Sequence, residues 1–215
     1  MRTLGALRTF YEDFWEDAPA DPEPYAWDAR RALLLGEVRR GERVLDLGCG
    51  AGRFLRALRE AGADPIGVEI AEAAVERARA NVPGADIRLL DADGSLPIGH
   101  GEVDVVWCSE VLEHIPDVAA TLHEVRRVLK RDGRLLLTSA HFLALPAIIA
   151  RTDLAVVMPQ AIARGFVDAE RYALLSAALP RSTFTVSIHW SSRFDTDPAH
   201  RWLRRLFIEI GRAHV

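Results

Sequence analysis

Val44-Leu45-Asp46-Leu47-Gly48-Cys49-Gly50-Ala51-Gly52 decides the fold: a short apolar run breaks into three alternate glycines. Such a run, bounded by glycine, predicts a buried strand entering a tight turn. Glycines there let the backbone come close to a ligand without interference from a Cβ. The spacing is G-x-G-x-G, not the G-x-G-x-x-G of dinucleotide enzymes, and no Lys-Ser/Thr pair follows as a phosphate-cradling P-loop requires. On spacing alone, the glycines could also serve nothing more than a tight strand-to-helix turn.

Downstream, residues 51–61 predict a helix with Leu55, Leu58 and Ala61 on one face and Gly62 as its stop; Pro65 to Glu69 is the next strand. The alternation continues through a helix at 71–81 and a strand at 86–90. Val103-Asp104-Val105-Val106-Trp107-Cys108 then has the near-continuous apolar character of a central parallel strand covered on both faces. Val118, Leu122, Val125 and Leu129 mark a further helix, and Asp132-Gly133 predicts a turn into a strand at 134–139. Upstream, residues 28–40 predict a helix ending at Gly41. Before it, Leu4, Leu7, Tyr11, Phe14 and Trp15 stand at helical spacing until Pro19, Pro22 and Pro24 break the pattern. Strands alternating with helices at these lengths imply right-handed crossovers and a mostly parallel α/β sheet.

The composition, 49% hydrophobic and 27% charged over 215 residues, is that of an ordinary globular chain. The longest apolar run, Phe142 to Ala150, is interrupted by Pro146 and is too short to span a bilayer, and the first residues lack a signal-peptide pattern. No membrane partner and a cytoplasmic location are expected. Cys49 and Cys108 are the only cysteines, too few for a disulfide framework, and no metal is assigned to them. Residues 1–140 carry 18 Lys+Arg against 25 Asp+Glu, whereas 141–215 carry 9 against 6. The acidic first part lacks the cationic footprint that nucleic acid demands, so a small-molecule partner is expected. Oligomeric state is silent in the sequence.

Glu69 ends the second strand 23 positions after Asp46, where an acidic side chain can accept hydrogen bonds from ribose hydroxyls. Past the third strand, Asp91-Ala92-Asp93 offers an acid near an adenine edge, with either aspartate eligible. Ser109 to Pro116 carries polar groups from a central strand end into the crevice where ligands of open α/β sheets bind. Four segments then stand in order: VLDLGCGAGRF, GVEIAEAAVERARA, SLPIGHGEVDVVWCSEVLEHIPD and EVRRVLKRDGRLLLT. Together they make residues 43–138 resemble the type 11 family of class I S-adenosylmethionine-dependent methyltransferases.

That resemblance implies a Rossmann-like sheet and S-adenosylmethionine as cofactor. It implies Asp46, Gly48, Gly50 and Gly52 at the methionine end, Glu69 at the ribose, Asp91 to Asp93 at the adenine, and Ser109 and Glu110 beside the sulfonium. Cys49, Ile70 and Ala92 complete the expected cofactor-binding set. The adenosylmethionine molecule carries no phosphate, consistent with a glycine turn that has no P-loop lysine. Methyl transfer is an in-line displacement dominated by proximity and desolvation, with no obligatory acid or base. His114 is the candidate catalytic base, since an imidazole suits proton abstraction near neutral pH; a packing or hydrogen-bonding role is its alternative. Residues 1–40 are expected as a helical lid. Arg131-Asp132-Gly133 departs from the family's usual Pro-Gly-Gly, which alters a turn and not the cofactor site.

The family's final antiparallel hairpin has no counterpart in the sequence after residue 140. Instead, His141 to Phe207 resembles the end of the effector-binding domain of LysR-type transcription regulators. That stretch has an alternating strand (Phe184, Val186, Ile188, Trp190) and a helix capped by Asp197, with Pro198 first and Trp202, Leu203, Leu206 and Phe207 as its apolar stripe. The expected organisation is therefore a methyltransferase domain over 1–140, a chimeric junction, and a mixed α/β fragment over 141–208. Glu209 to Val215 resembles translated sequencing adapter and is expected to be artefactual. Two functions follow as expectations: methyl transfer to a small-molecule acceptor, or cofactor binding by a catalytically incomplete chimera.

Overall fold

The computed structural model describes residues 3–139 and 190–212, with a few isolated positions between them. Two compact units divide the chain, residues 1–144 and 145–215. In the first unit, five strands form one sheet: β1 (Arg43–Leu47), β2 (Asp64–Glu69), β3 (Asp86–Leu89), β4 (Val103–Ser109) and β5 (Leu129–Thr138). All pairs are parallel and the order is β3-β2-β1-β4-β5. The chain leaves β1 toward one edge of the sheet and returns to β4 on its other side. Such a reversal opens a crevice at the carboxyl ends of the two central strands. No antiparallel strand joins the sheet among the described residues.

The helices are α1 (Leu4–Asp17), α2 (Trp27–Glu37), α3 (Arg53–Glu60), α4 (Glu72–Asn81) and α5 (Val118–Val128), with a single 3₁₀ turn at Leu112–His114. Alternation along β1 and β4 sends Val44, Val105 and Trp107 to one face. There they meet Leu34 of α2 and Phe54 and Leu58 of α3 in a fully enclosed cluster. A second cluster joins α3 to α4 through Leu55, Val75, Ala78 and Val82, and a third seats Trp15 of α1 on Ala51, Ala71 and Ala74.

β5 corrects the expected turn at Asp132-Gly133. The strand begins earlier, at Leu129, and its pairing with β4 steps from Val103–Leu129 to Val105–Arg134. The extra residues are absorbed as a bulge, and Lys130 anchors them by donating to both Asp104 oxygens at 2.8 Å. Glycine is needed at 133 because a Cβ there would stand 3.1 Å from the Asp104 and Lys130 carbonyl oxygens.

α1 is tied down as a wall. Arg8 donates to the Leu90 carbonyl at 2.6 Å, and Arg77 donates to the Ala18 and Pro19 carbonyls just past the helix. Glu12 accepts from the amides of Glu72 (2.7 Å) and Ala73 (3.1 Å), the first turn of α4, whose own N-cap, Ala71, supplies no side-chain bond. Glu12→Ala should therefore remove a cap donated across the fold, costing about 1 kcal/mol. In a thermal melt this reads as a Tm lower by about 2–4 °C; an unchanged Tm would dismiss the cap.

In the second unit the described helix, α6 (Pro198–Arg212), begins as the sequence predicts, with Asp197 accepting from the His200 amide at 2.7 Å. It runs through Arg212, into the segment expected to be artefactual. The expected stripe residues Trp202 and Phe207 are exposed. The predicted strand at 184–190 lies outside the described residues except for Trp190, as do residues 213–215.

Candidate functional site

β1 delivers Asp46 to the crevice fully buried, and the chain then turns on Gly48 (φ +74°), Gly50 (φ +51°) and Gly52 (φ +88°). These left-handed angles favour glycine. Space demands it as well: a Cβ on Gly48 would come within 2.6 Å of Val111, and one on Gly50 within 3.1–3.2 Å of the Trp15 ring. Gly52 has a different duty. A Cβ there would meet Val82 and Ala78, so this glycine lets α3 pack on α4 and is not among the residues lining the cleft.

The cleft, about 240 Å³, is lined by Phe14, Trp15, Arg30, Asp46, Gly48, Cys49, Gly50, Ala51, Arg53, Phe54 and Ser109, with Pro22 to Pro24 at its rim. Burial is the main reason that the Asp46 carboxyl is pushed up to about 8; the nearby Glu69 charge adds to this and Arg30 opposes it. Its Oδ2 is buried without a hydrogen-bond partner. Burial, reinforced by Asp46 and Glu69, also pushes the Cys49 thiol up, which leaves it neutral and inert.

Glu69 is buried at the end of β2, with both oxygens engaged. Oε2 accepts from the Gly50 amide at 3.0 Å, and Oε1 from the Ile70 and Ala71 amides at 2.6 and 3.4 Å. Burial raises its pKa, and these three amides offset only part of the rise. Glu69 thus links the glycine turn to the start of α4.

On the opposite wall stands Arg30 of α2, absent from the sequence-derived site. Its Nε donates to Ser109 Oγ at 2.8 Å, its Nη1 donates to the Tyr25 carbonyl at 2.8 Å, and the guanidinium lies 5.4 Å from the Phe54 ring centroid. Ser109 Oγ in turn shares a 2.5 Å bond with Thr138 Oγ1. Burial pulls the Arg30 pKa down while Glu110, Asp46 and Glu113 push it back; a guanidinium so placed stays charged. Trp27, Arg30 and Leu34 fall at i, i+3 and i+7, so a cation on the apolar stripe of α2 was the signal available in the sequence.

The remaining expected residues do not line this cleft. Glu110 takes a left-handed backbone (φ +58°) as β4 ends, uncommon for a side chain of its size, and its amide donates to the Thr138 carbonyl at 2.9 Å. His114 is exposed at the end of the 3₁₀ turn, edge-on to Tyr11 at 6.1 Å. Asp91, Ala92 and Asp93 are exposed after β3. Asp93 accepts from both the Ser95 hydroxyl (2.7 Å) and the Ser95 amide (2.9 Å), which lower its pKa, whereas the Asp91 carboxylate lies 3.2 Å from the same hydroxyl. Among the described residues, no group of His, Cys, Asp and Glu is arranged to hold a metal ion, and no helix is long and apolar enough to cross a membrane.

Residues 45–137 match the family model described as "Methyltransferase domain". That stretch is similar to this family. A ubiquinone biosynthesis O-methyltransferase of Thiobacillus denitrificans is 34% identical over 117 residues, covering 53% of this chain and 48% of its own length. The protein of the same name from Xanthomonas oryzae is 34% identical over 174 residues, 79% of this chain and 64% of that one. The chain thus spans about half to two-thirds of the length of these curated relatives. Haemonchus contortus phosphoethanolamine N-methyltransferase 1, solved with phosphoethanolamine and S-adenosylhomocysteine, covers 63% of this chain and 33% of its own at TM-score 0.50. At 23% identity, that likeness speaks for the fold alone.

Proposed function

We propose that this chain transfers a methyl group from S-adenosylmethionine to a small-molecule acceptor. The observation that carries the reading is an acid and a cation in one partly desolvated cleft: the unpartnered Asp46 Oδ2 and the guanidinium of Arg30. A methionine end carries an ammonium and a carboxylate, and this pair fits both, the first at Asp46 and the second at Arg30. Gly48 and Gly50 line the same cleft, so the turn presents backbone and no side chain to that group. Glu69 retains acceptor capacity for ribose hydroxyls, because a carboxylate offers about four lone-pair sites and three are used here. With Asp93 held by Ser95, Asp91 is the aspartate we assign to the adenine edge.

When bound, the cofactor supplies a methyl carbon on a positively charged sulfur. The residues around it contribute position and dryness: Phe14, Trp15 and Phe54 exclude water, Arg30 and Asp46 fix the methionine end, and Ser109 is held by Arg30 and Thr138. That methyl group would be offered in line to an acceptor's lone pair, and the acceptor's proton would pass to a base. His114, steadied against Tyr11, is the residue we assign to receive it.

The buried Asp46 carboxyl makes cofactor affinity depend on pH. A native Asp46 pKa of about 8, above the ordinary 3.8, means that the folded chain keeps a proton the unfolded chain has lost. That contribution to stability is full below about pH 4 and is lost as pH rises through about 8. An incoming ammonium needs the ionised carboxylate, so cofactor affinity should rise more than about tenfold from pH 6 to pH 8, with proton release on binding. Titrations at the two pH values, each in buffers of different ionisation enthalpy, measure both effects. Equal affinities at pH 6 and 8 would remove Asp46 from this role.

Turnover is tested by incubating the full chain with methyl-labelled cofactor and panels of hydroxyl and amine acceptors. Label transfer is expected; cofactor binding without transfer to any acceptor would favour the catalytically incomplete chimera. The comparisons lend that alternative no support, since the Xanthomonas match covers 79% of the chain, more than residues 1–140 make up.

A further inference from the structure

We propose that a hollow of about 560 Å³ at the amino end of the sheet, lined by His100, His123, Arg126 and Arg131, binds a small phosphorylated anion carrying at least two negative charges. The Asp46 cleft lies at the opposite, carboxyl end of the strands, so this second site does not depend on the cofactor reading.

Three separate segments build the hollow. His100 and Gly101 stand just before β4, His123, Arg126 and Arg127 share one face of α5 at i, i+3 and i+4, and Leu129 to Arg131 open β5. Because β4 and β5 run parallel, all three meet at one end of the sheet. Two carbonyls at the end of α5 are already satisfied, that of Arg127 by the Gly101 amide at 2.9 Å and that of Val125 by the Leu129 amide.

Two of the four permanent cations here are consumed by the fold. Arg127 pairs with Glu124 at 2.7 Å and donates to the Leu96 and Ile98 carbonyls at 2.8 Å, while Lys130 pairs with Asp104 at 2.8 Å. Arg126 and Arg131 are exposed and, among the described residues, make no ion pair or hydrogen bond; the neighbouring Asp132 pairs with neither. A helix C-terminus favours cations, which accounts for Arg126 and Arg127. It does not account for Arg131 and His100, which come from outside α5. The cluster also runs against its background, since residues 1–140 carry 25 Asp+Glu against 18 Lys+Arg. Guanidinium forks match the oxygens of phosphate, and each imidazole adds an N–H donor. The volume is that of a small-molecule site, and two unneutralised guanidinium groups call for a ligand with at least two charges.

The test titrates the full chain calorimetrically with sodium pyrophosphate at constant ionic strength, with sodium acetate as the monoanionic control. One saturable site is expected for pyrophosphate and none for acetate. Arg126→Gln and Arg131→Gln should each weaken pyrophosphate binding about five- to tenfold, less than a buried charged hydrogen bond because both side chains are exposed. Arg131→Lys, which keeps the charge and loses the fork, should recover part of that loss. Arg31→Gln, which removes an equal charge from an exposed position on α2, and Arg30→Met should both stay within about twofold of the parent. Without ligand, the melts of all these variants should coincide with that of the parent, which verifies that they fold. No saturable heat from pyrophosphate, or equal losses in Arg31→Gln and Arg131→Gln, would overturn the site. A loss confined to Arg30→Met would overturn it too, by placing the anion in the other cleft. Capture by vesicles of anionic phospholipid, with no heat from pyrophosphate, would overturn the assignment of a small soluble ligand.

Discussion

Arg30→Met should weaken S-adenosylmethionine binding on the order of 10- to 100-fold, with little loss of fold stability. Methionine fills much of the same volume and keeps an apolar contact with the Phe54 ring, so the wall of the cleft survives. What disappears is the charged donor set, and a hydrogen bond to a charged group is worth about 1.5–3 kcal/mol. A second consequence separates this from a general disturbance of the pocket. Arg30 is the group that holds the Asp46 pKa down against burial and Glu69. Without it, Asp46 should ionise at still higher pH, and the rise of cofactor affinity should move to more alkaline values. A cofactor titration repeated across pH reads both effects. Affinity within twofold of the parent would remove Arg30 from the site.

Arg30 also marks where sequence reading reaches its limit. The glycine turn, Asp46 and Glu69 were legible because each stands at a fixed chain distance from a strand end, and the strand ends follow from hydrophobic runs bounded by glycine. Arg30 comes from a helix preceding the first strand, within a segment that also holds Arg31, Arg39 and Arg40. Local spacing places it on the stripe with Leu34, but only the packing of α2 against α3 brings it opposite Asp46. Glu12 escaped for the same reason: the α4 amides it caps lie 60 positions away in the chain. Gly52 was legible as a glycine with a purpose, yet motif spacing could not separate backbone approach to a ligand from close helix packing. The bulge in β5 was hidden because Asp132-Gly133 has the chemistry of a turn whether the strand starts before it or after it.

Trp107→Ala should be the most damaging single change to the fold, costing about 3–5 kcal/mol. The indole is fully buried between β4 and the α2–α3 layer, 5.3 Å from the Phe54 ring, which itself meets Trp27 at 5.0 Å. Deleting it opens a cavity beneath the helices that carry Arg30 and Arg53, so stability and cofactor binding should fail together. A domain of this kind has only about 5–15 kcal/mol in total. The denaturation midpoint should therefore fall steeply, and at 37 °C much of the chain should be unfolded. Trp107→Phe makes the informative contrast. The indole N–H has no hydrogen-bond partner, so phenylalanine loses volume but also relieves a buried donor. Its cost should stay below that of alanine by at least about 2 kcal/mol. Comparable midpoints for the alanine variant and the parent would show that the core is centred elsewhere.

Calorimetric titration of the full chain with S-adenosylmethionine, in parallel with the Asp46→Asn and Arg30→Met variants, tests the reading of the cleft most directly. The parent should bind at one site with affinity that climbs from pH 6 to pH 8. Arg30→Met should bind weakly, and Asp46→Asn should bind weakly without the pH dependence. No heat from the parent at pH 8, or a parent whose affinity neither variant changes, would contradict the assignment of Asp46 and Arg30 as the two ends of a methionine site.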